Sequence, residues 1–182
     1  MSSKKDNFTS QDKKFMQLAL KLASVRKGLT GENPSVGCLI VKNDQIISIR
    51  QTGLNGRPHA EHNAIKNSVE NVRGSKMYVT LEPCNHYGKT PPCTNSIIKS
   101  GISEIIYGMD DIDKKVKGKS FKILSNKKIK VKKGLLKNEA KNLYAETSKR
   151  HKATLAYAIN KDGRYANMNH LNDFRPERDK NE

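Results

Sequence analysis

Two short segments that carry metal-binding side chains constrain this chain more than any other feature of its sequence. Residues 58–61 read PHAE, and residues 82–93 read EPCNHYGKTPPC. They contain one imidazole and two thiols, from His59, Cys84 and Cys93. Such a ligand set suits zinc and leaves its fourth coordination position open for water, the arrangement typical of catalytic sites. The sequence therefore predicts that these three residues bind one Zn²⁺ ion per chain.

Glu61 lies two residues after the histidine, in a helix predicted from Ala60 to about Val69. Bound zinc lowers the pKa of its water toward neutrality, so that hydroxide is available near pH 7. From the start of the helix, Glu61 is placed to take the proton of that water and to deliver it to the leaving group. We predict that Glu61 is the catalytic acid and base.

The pattern matches the zinc-deaminase signature H-x-E followed by P-C-x-x-C, but eight residues, instead of two, separate Cys84 and Cys93. One alternative is that His59 caps a helix and that both cysteines are buried thiols. Another is that His86 is a fourth ligand, which would close the site. An open site explains Glu61 better, because a closed site needs no proton carrier.

The composition limits the class of protein and its location. A chain of 182 residues is long enough for one domain with its own core. The mean hydropathy is -0.77, no run approaches the length of a membrane span, and the first ten residues lack the apolar region of a secretory signal. Three cysteines are an odd number for a disulfide framework, and Cys38 lies in an apolar run typical of a core. We expect a cytoplasmic protein without membrane contact.

The formal net charge of +17 raises the question of a nucleic-acid partner. Residues 114–133 hold ten lysines and no acid, yet Phe121 is their only aromatic residue. Because proteins that bind single strands stack bases on aromatic side chains, we interpret this segment as a solvated face and expect no nucleic-acid partner.

Strands alternate with helices along the chain, which predicts a layered α/β domain with helices on both faces of a sheet. A helix is predicted from Asp12 to Lys27 with Ser10 as its N-cap, and Asn43-Asp44 has the composition of a hairpin turn. Further helices are predicted at 94–100, ending at Gly101, at 121–125 and at 139–149. The predicted strands are 36–41, 45–49, 77–81, 104–109, 129–132 and, as one more candidate, 153–159.

The long Cys84–Cys93 interval, with Asn33-Pro34-Ser35-Val36-Gly37 and His59-Ala60-Glu61, closely resembles the deaminase domain of bacterial riboflavin biosynthesis. The resemblance extends from about residue 12 to 159. It implies a cytidine-deaminase-like three-layer α/β/α sandwich around a mixed, mostly five-stranded sheet. It also implies hydrolytic deamination of 2,5-diamino-6-(5-phosphoribosylamino)pyrimidin-4-one, a small phosphorylated pyrimidine, by a hydrolase acting on C–N bonds in cyclic amidines.

The resemblance also implies which residues contact the substrate. Asn33 would contact the pyrimidine, and His86 and Lys89 would line the pocket and face the ribose phosphate. Lysine suits a phosphate monoester as a point charge. Thr90 and Asp111 occupy matching positions and are included among the substrate-binding candidates. Each of these residues also has a structural alternative, such as a turn for Asn33 and a surface charge for Lys89.

Two positions depart from the family pattern. Thr52 stands where the family has a pocket histidine, and Asp113 stands where the family has an asparagine. A carboxylate near a phosphate would repel it. These changes leave the metal chemistry intact but favour, as an alternative, a zinc deaminase of another small pyrimidine or purine. A tRNA-editing deaminase and a non-catalytic binding module are further alternatives.

The sequence predicts four regions: a disordered tail at 1–10, the zinc deaminase domain at 11–150, a segment at 151–165 that resembles the first strand of a reductase domain, and a polar tail at 166–182. The remaining residues are too few for a nicotinamide-binding domain, so we expect no NADP here and a separate reductase for the next step. Family habit and exposed sheet edges suggest a homodimer or a higher homo-oligomer.

Overall fold

The computed structural model of the protein describes residues 7–112 and 117–145. Outside these residues lie 1–6 of the predicted tail, 113–116 with Asp113, and 146–182. The last of these ranges contains the end of the last predicted helix, the reductase-like segment 151–165 and the polar tail 166–182. The domain boundaries therefore stay predictions.

Five strands form one mixed sheet in the order β2-β1-β3-β4-β5. Their bounds are Gly37–Lys42 for β1, Gln45–Gln51 for β2, Lys76–Leu81 for β3, Glu104–Met109 for β4 and Lys130–Lys133 for β5. β1 runs antiparallel to both β2 and β3, whereas β3, β4 and β5 are parallel. Asn43 and Asp44 have φ values of 49° and 62°, as the predicted two-residue hairpin turn requires.

The α-helices of the structure each overlap a helix that the sequence predicts. They are α1 at Ser10–Val25, α2 at Ala60–Lys66, α3 at Cys93–Ser100 and α4 at Lys119–Asn126, with a 3-10 turn at Leu54–Gly56 and a helical segment at 137–145. Gly101 ends α3 with a φ of 74°, as expected for a glycine after a helix. Within the described ranges, no helix has the length and hydrophobicity needed to cross a bilayer.

The start of α1 differs from the prediction, because Thr9 and not Ser10 is the N-cap. The Thr9 hydroxyl accepts a hydrogen bond from the Asp12 amide at 3.0 Å, and the Asp12 carboxylate accepts one from the Thr9 amide at 2.8 Å. This reciprocal capping box satisfies two amides that would otherwise lack partners. The helix α1 therefore begins at Ser10, two residues before the predicted start at Asp12.

Each face of the sheet has its own hydrophobic core. On one face, α1 packs its apolar stripe onto side chains of β1, β3 and β4 (Phe15, Met16 and Ala19 against Leu39, Val41, Tyr78 and Ile106). On the other, α2 and α3 cover the alternate side chains of the same strands (Ala60, Ala64 and Ile97 with Cys38, Ile40, Met77, Val79 and Ile105). Cys38 is fully buried, as predicted. The three-layer α/β/α architecture is therefore confirmed.

Gly37 sets the distance between α1 and β1. A Cβ atom at this position would lie 2.0 Å from the carbonyl oxygen of Ala19, so the helix backbone would have to move. We expect Gly37→Ala to lower the free energy of unfolding by about 3 kcal/mol or more, since overpacking against backbone is costly. Urea unfolding would measure this. Gly88→Ala, which would meet its nearest atom at 3.7 Å, is the control, and an equally stable Gly37→Ala protein would contradict the packing described here.

Candidate active site

Three backbone features bring the predicted metal ligands together. His59 is the N-cap residue of α2, in extended conformation, and Cys93 is the first residue of α3. Cys84 follows β3 by three residues. Since α2 and α3 pack side by side on one face of the sheet, their first residues meet the chain that leaves the end of β3.

The three ligand atoms lie at the spacing that zinc requires. His59 Nδ1 is 3.5 Å from the sulfur of Cys84 and 3.4 Å from the sulfur of Cys93, and all three donor atoms lie within 4.8 Å of one another. In a tetrahedral site with Zn–S of about 2.3 Å and Zn–N of about 2.0 Å, a nitrogen and a sulfur ligand are about 3.5 Å apart. The residues therefore fit the ion without rearrangement.

His86 does not join this group. The metal-binding cluster found in residues 7–112 and 117–145 consists of His59, Cys84 and Cys93, whereas the side chain of His86 is exposed to solvent. The geometry thus favours a site with three protein ligands and an open position over the closed four-ligand alternative.

The electrostatics of the cluster already favour a thiolate. The pKa of Cys84 is lowered to about 4, chiefly because the Cys93 thiol donates a hydrogen bond to it and further because His59 lies beside it. The backbone amide of Cys93 also donates to the Cys84 sulfur at 3.2 Å. Because the thiolate is the form that binds metal, the Cys84 side chain is already in its metal-binding form at neutral pH without a metal ion.

Glu61 is buried beside this cluster, with 4% of its surface exposed. Burial, assisted by the negative charge of Cys84, raises the pKa of its carboxyl to about 7. A carboxyl whose pKa is near neutrality gives and takes protons with similar ease at physiological pH. Glu61 thus has the environment that the predicted role demands.

A cavity of about 270 Å³ opens next to the metal cluster. Two of the metal ligands and the catalytic candidate are among the residues that line it (Glu32, Asn33, Pro34, Val36, Thr52, His59, Glu61, Leu81, Glu82, Cys84 and Asp111). Two of the substrate-binding candidates, Asn33 and Asp111, are therefore within the same cavity as Glu61.

Asn33 is fixed at the cavity wall by its amide group. Its Nδ2 donates to the carbonyl oxygen of Gly56 at 3.3 Å, and a Cβ on Gly56 would lie 2.3 Å from that nitrogen, so only glycine fits there. None of the described residues donates to the side-chain oxygen of Asn33. This oxygen is therefore available to accept a hydrogen bond from a ligand.

The other three substrate-binding candidates lie on one exposed loop. His86, Lys89 and Thr90 follow Cys84, precede Cys93, and are exposed to solvent. They are outside the cavity lining but adjacent in sequence to two metal ligands. Their roles stay predictions.

Thr52, which departs from the family pattern, has a structural role at the cavity wall. It is buried, its hydroxyl accepts a hydrogen bond from the Val36 amide at 2.9 Å, and it donates to the Pro34 carbonyl at 3.2 Å. These bonds join the end of β2 to the segment that carries Asn33. No single nitrogen of a histidine ring could both accept and donate as this hydroxyl oxygen does.

Glu82 is a further residue of the site that sequence reasoning did not select. It is 2% exposed, and its carboxylate accepts hydrogen bonds from the backbone amides of Asp111 at 3.2 Å, Gly118 at 2.8 Å and Ser120 at 3.1 Å. The Ser120 hydroxyl in turn donates to the Pro83 carbonyl at 2.6 Å. The residue before Pro83-Cys84 therefore fixes Asp111 and the start of α4 relative to the metal ligand.

We expect Glu82→Gln to destabilise this end of the sheet. The amide would keep one acceptor but present N–H groups to backbone donors, and hydrogen bonds to a charged group contribute about 1.5–3 kcal/mol each. The expected loss in the free energy of unfolding is about 2 kcal/mol or more, measured by urea unfolding. Glu139→Gln, at an exposed position, is the control. Equal stabilities for the two variants would show that the three amides do not depend on the carboxylate.

Comparison with known proteins identifies this combination of fold and ligands. The profile of the cytidine and deoxycytidylate deaminase zinc-binding region matches residues 9–109. The chain belongs to this deaminase family. It is 44% identical over 130 residues to the diaminohydroxyphosphoribosylamino-pyrimidine deaminase of Buchnera aphidicola subsp. Schizaphis graminum, a match that covers 71% of this chain and 88% of that protein. The resemblance inferred from the Cys84–Cys93 interval is thereby confirmed.

Longer relatives match this chain over only part of their length. The riboflavin biosynthesis protein RibD of Aquifex aeolicus is 40% identical over 162 residues, covering 86% of this chain and 46% of that protein. A crystal structure of a diaminohydroxyphosphoribosylaminopyrimidine deaminase/5-amino-6-(5-phosphoribosylamino)uracil reductase from Thermotoga maritima superposes with a TM-score of 0.70 at 37% identity, covering 77% of this chain and 42% of that chain. The chain therefore spans about half the length of these relatives and corresponds to their deaminase part.

Proposed function

We propose that this protein is a zinc-dependent hydrolase that deaminates 2,5-diamino-6-(5-phosphoribosylamino)pyrimidin-4-one in riboflavin biosynthesis. The observation that carries the proposal is the convergence of His59, Cys84 and Cys93 at zinc-binding distances, beside the buried Glu61 and a cavity. The Buchnera relative, named for this activity, supports the choice of substrate. In the reaction, one water is consumed, an exocyclic amine is replaced by a carbonyl, and ammonia is released.

His59, Cys84 and Cys93 would hold the zinc ion, which would supply hydroxide at neutral pH by lowering the pKa of its water. Glu61 takes the proton that water gives up. Its carboxyl then donates this proton to the ring nitrogen next to the reacting carbon. It takes a second proton from the hydroxyl added to that carbon and gives it to the departing amine, so that the hydroxyl becomes the carbonyl and ammonia leaves. Burial, which raises the pKa of this carboxyl above its ordinary value, helps Glu61 to hold the proton between the two transfers.

The candidate substrate-binding residues have side chains that suit the phosphorylated diaminopyrimidinone. Asn33 offers its side-chain oxygen to an N–H of the pyrimidine, and Asp111 lines the same cavity. His86, Lys89 and Thr90 provide polar and positive groups on the loop that joins the two cysteine ligands. Lys89 is suited to a phosphate because of its charge.

The direct test is release of ammonia by the zinc-loaded protein. We expect turnover of the phosphorylated diaminopyrimidinone, accompanied by the spectral change of its conversion to the pyrimidinedione, and no turnover of deoxycytidine monophosphate. Protein stripped of zinc is the matched control. Turnover of deoxycytidine monophosphate with none of the diaminopyrimidinone would contradict the proposed substrate while leaving the deaminase chemistry in place.

One observation favours a second candidate, a deaminase of another small pyrimidine or purine. Thr52 lines the cavity where the family resemblance implies a histidine, and its hydroxyl is committed to Val36 and Pro34. A panel of cytosine, guanine and adenine compounds in the same ammonia assay would separate the two candidates. The absence of NADP, a separate reductase, a homo-oligomeric state and a cytoplasmic location stay predictions from the sequence.

A further inference from the structure

Arg57 joins the two segments that carry the metal ligands. It stands two residues before His59, is half-buried, and its Nη1 donates to the hydroxyl of Thr90. Its other terminal nitrogen lies beside the backbone of the next turn, since a Cβ on Gly88 would be 3.7 Å from Nη2. The guanidinium group therefore sits against the 88–90 turn, next to Lys89.

The charge of this arginine is not balanced by a neighbouring acid. Over the part of the chain that the structure describes, no carboxylate lies within 4.0 Å of Arg57 or Lys89, and the one hydrogen bond of the guanidinium goes to the neutral Thr90 hydroxyl. A guanidinium has five N–H donors, so most of them stay available. Two positive side chains and a hydroxyl thus form one small surface, which we name the Arg57 rim (Arg57, Lys89 and Thr90).

The cavity lining has the opposite charge. Glu32, Glu82 and Asp111 all contribute to it. Glu82 moreover occupies the amides of Gly118 and Ser120 at the start of α4, where the unpaired amides of a helix start would otherwise attract an anion. These carboxylates disfavour a phosphate dianion on this side of the cavity, whereas the Arg57 rim, which begins two residues before His59, offers compensating charge.

We propose that Arg57 is a specificity-determining residue that binds the phosphate group of the substrate, with Thr90 orienting its guanidinium and Lys89 adding charge. The inference rests on the proposed function, which supplies a substrate with a phosphate monoester. Arginine binds phosphate through two parallel N–H donors, so the rim selects for the phosphorylated compound over its dephosphorylated form.

The test compares zinc-loaded wild type and Arg57→Ala with the phosphorylated diaminopyrimidinone and with its dephosphorylated ribosyl form. Charged hydrogen bonds of this kind correspond to about 10- to 100-fold in affinity. We expect KM for the phosphorylated substrate to rise by that factor while kcat and zinc content stay unchanged. Turnover of the dephosphorylated form should be the same in both proteins, and Arg57→Lys should recover part of the loss.

Arg73→Ala is the control, because Arg73 is exposed and precedes β3 at the end of the sheet opposite to Glu82. Calorimetric binding of ribose 5-phosphate, with ribose as its neutral match, decides the role of Arg57 even if the wild type turns over neither substrate. If the wild type turned over neither substrate, the proposed function would be rejected, but the role of Arg57 in phosphate binding would still be decided by the calorimetry. Equal binding of ribose 5-phosphate by wild type and Arg57→Ala, or equal losses with both deamination substrates, would overturn the inference.

Discussion

Replacing Glu61 with glutamine is expected to lower kcat by about 10²- to 10⁴-fold, the contribution typical of a general acid and base. The amide is nearly isosteric with the carboxyl but can neither take the proton of the water nor deliver it to the ring and the amine. Glu61 is not one of the three metal ligands, so zinc content should stay at one ion per chain. Ammonia release and metal analysis on the same preparation would measure both quantities.

Glu70→Gln is the matched control for this prediction, because it makes the same chemical change at an exposed position just after α2. It should leave kcat within about twofold, as expected for surface substitutions away from the site. If Glu61→Gln kept full activity, the proton-transfer role assigned to this residue would be wrong. Loss of activity together with loss of zinc would instead indicate that Glu61 supports the metal site.

The local elements of the fold were predictable because their signals lie within a few residues of each other. The Asn43-Asp44 turn needed only its own composition and the apolar runs on either side, and Gly101 ended α3 by the same kind of local rule. The N-cap of α1 was misplaced because Thr9 and Ser10 are both good caps. The choice depended on Asp12, whose carboxylate bonds back to the Thr9 amide.

The metal ligands and Glu61 were identified from short motifs, but the residues that support them were not. Glu82 accepts bonds from amides 29 to 38 residues away in sequence, so no local pattern signals its role. Thr52 acts on Val36 through the pairing of β1 with β2, and Arg57 reaches Thr90 only after α2 and α3 have packed together. These contacts follow from strand order and helix packing, which periodicity alone does not determine.

Substituting Cys84 or Cys93 with serine is expected to abolish both zinc retention and activity. The alcohol is a much weaker metal ligand than a thiolate, and His59 with a single remaining sulfur cannot hold the ion through dialysis. Wild type should keep one zinc ion per chain, and each variant close to none. Metal binding to the folded state should also raise the thermal midpoint, by an amount equivalent to about 4 kcal/mol when free zinc is 1,000 times Kd.

Cys38 supplies the control for this prediction within the same chain. It is the third cysteine, is fully buried beneath α2 and lies outside the metal-binding group. Cys38→Ala removes a thiol from the core and should cost some stability, yet zinc content and the zinc-dependent rise of the thermal midpoint should match those of wild type. A Cys84→Ser or Cys93→Ser protein that still binds one zinc ion and deaminates its substrate would disprove the three-ligand site, and with it the geometry on which the role of Glu61 depends.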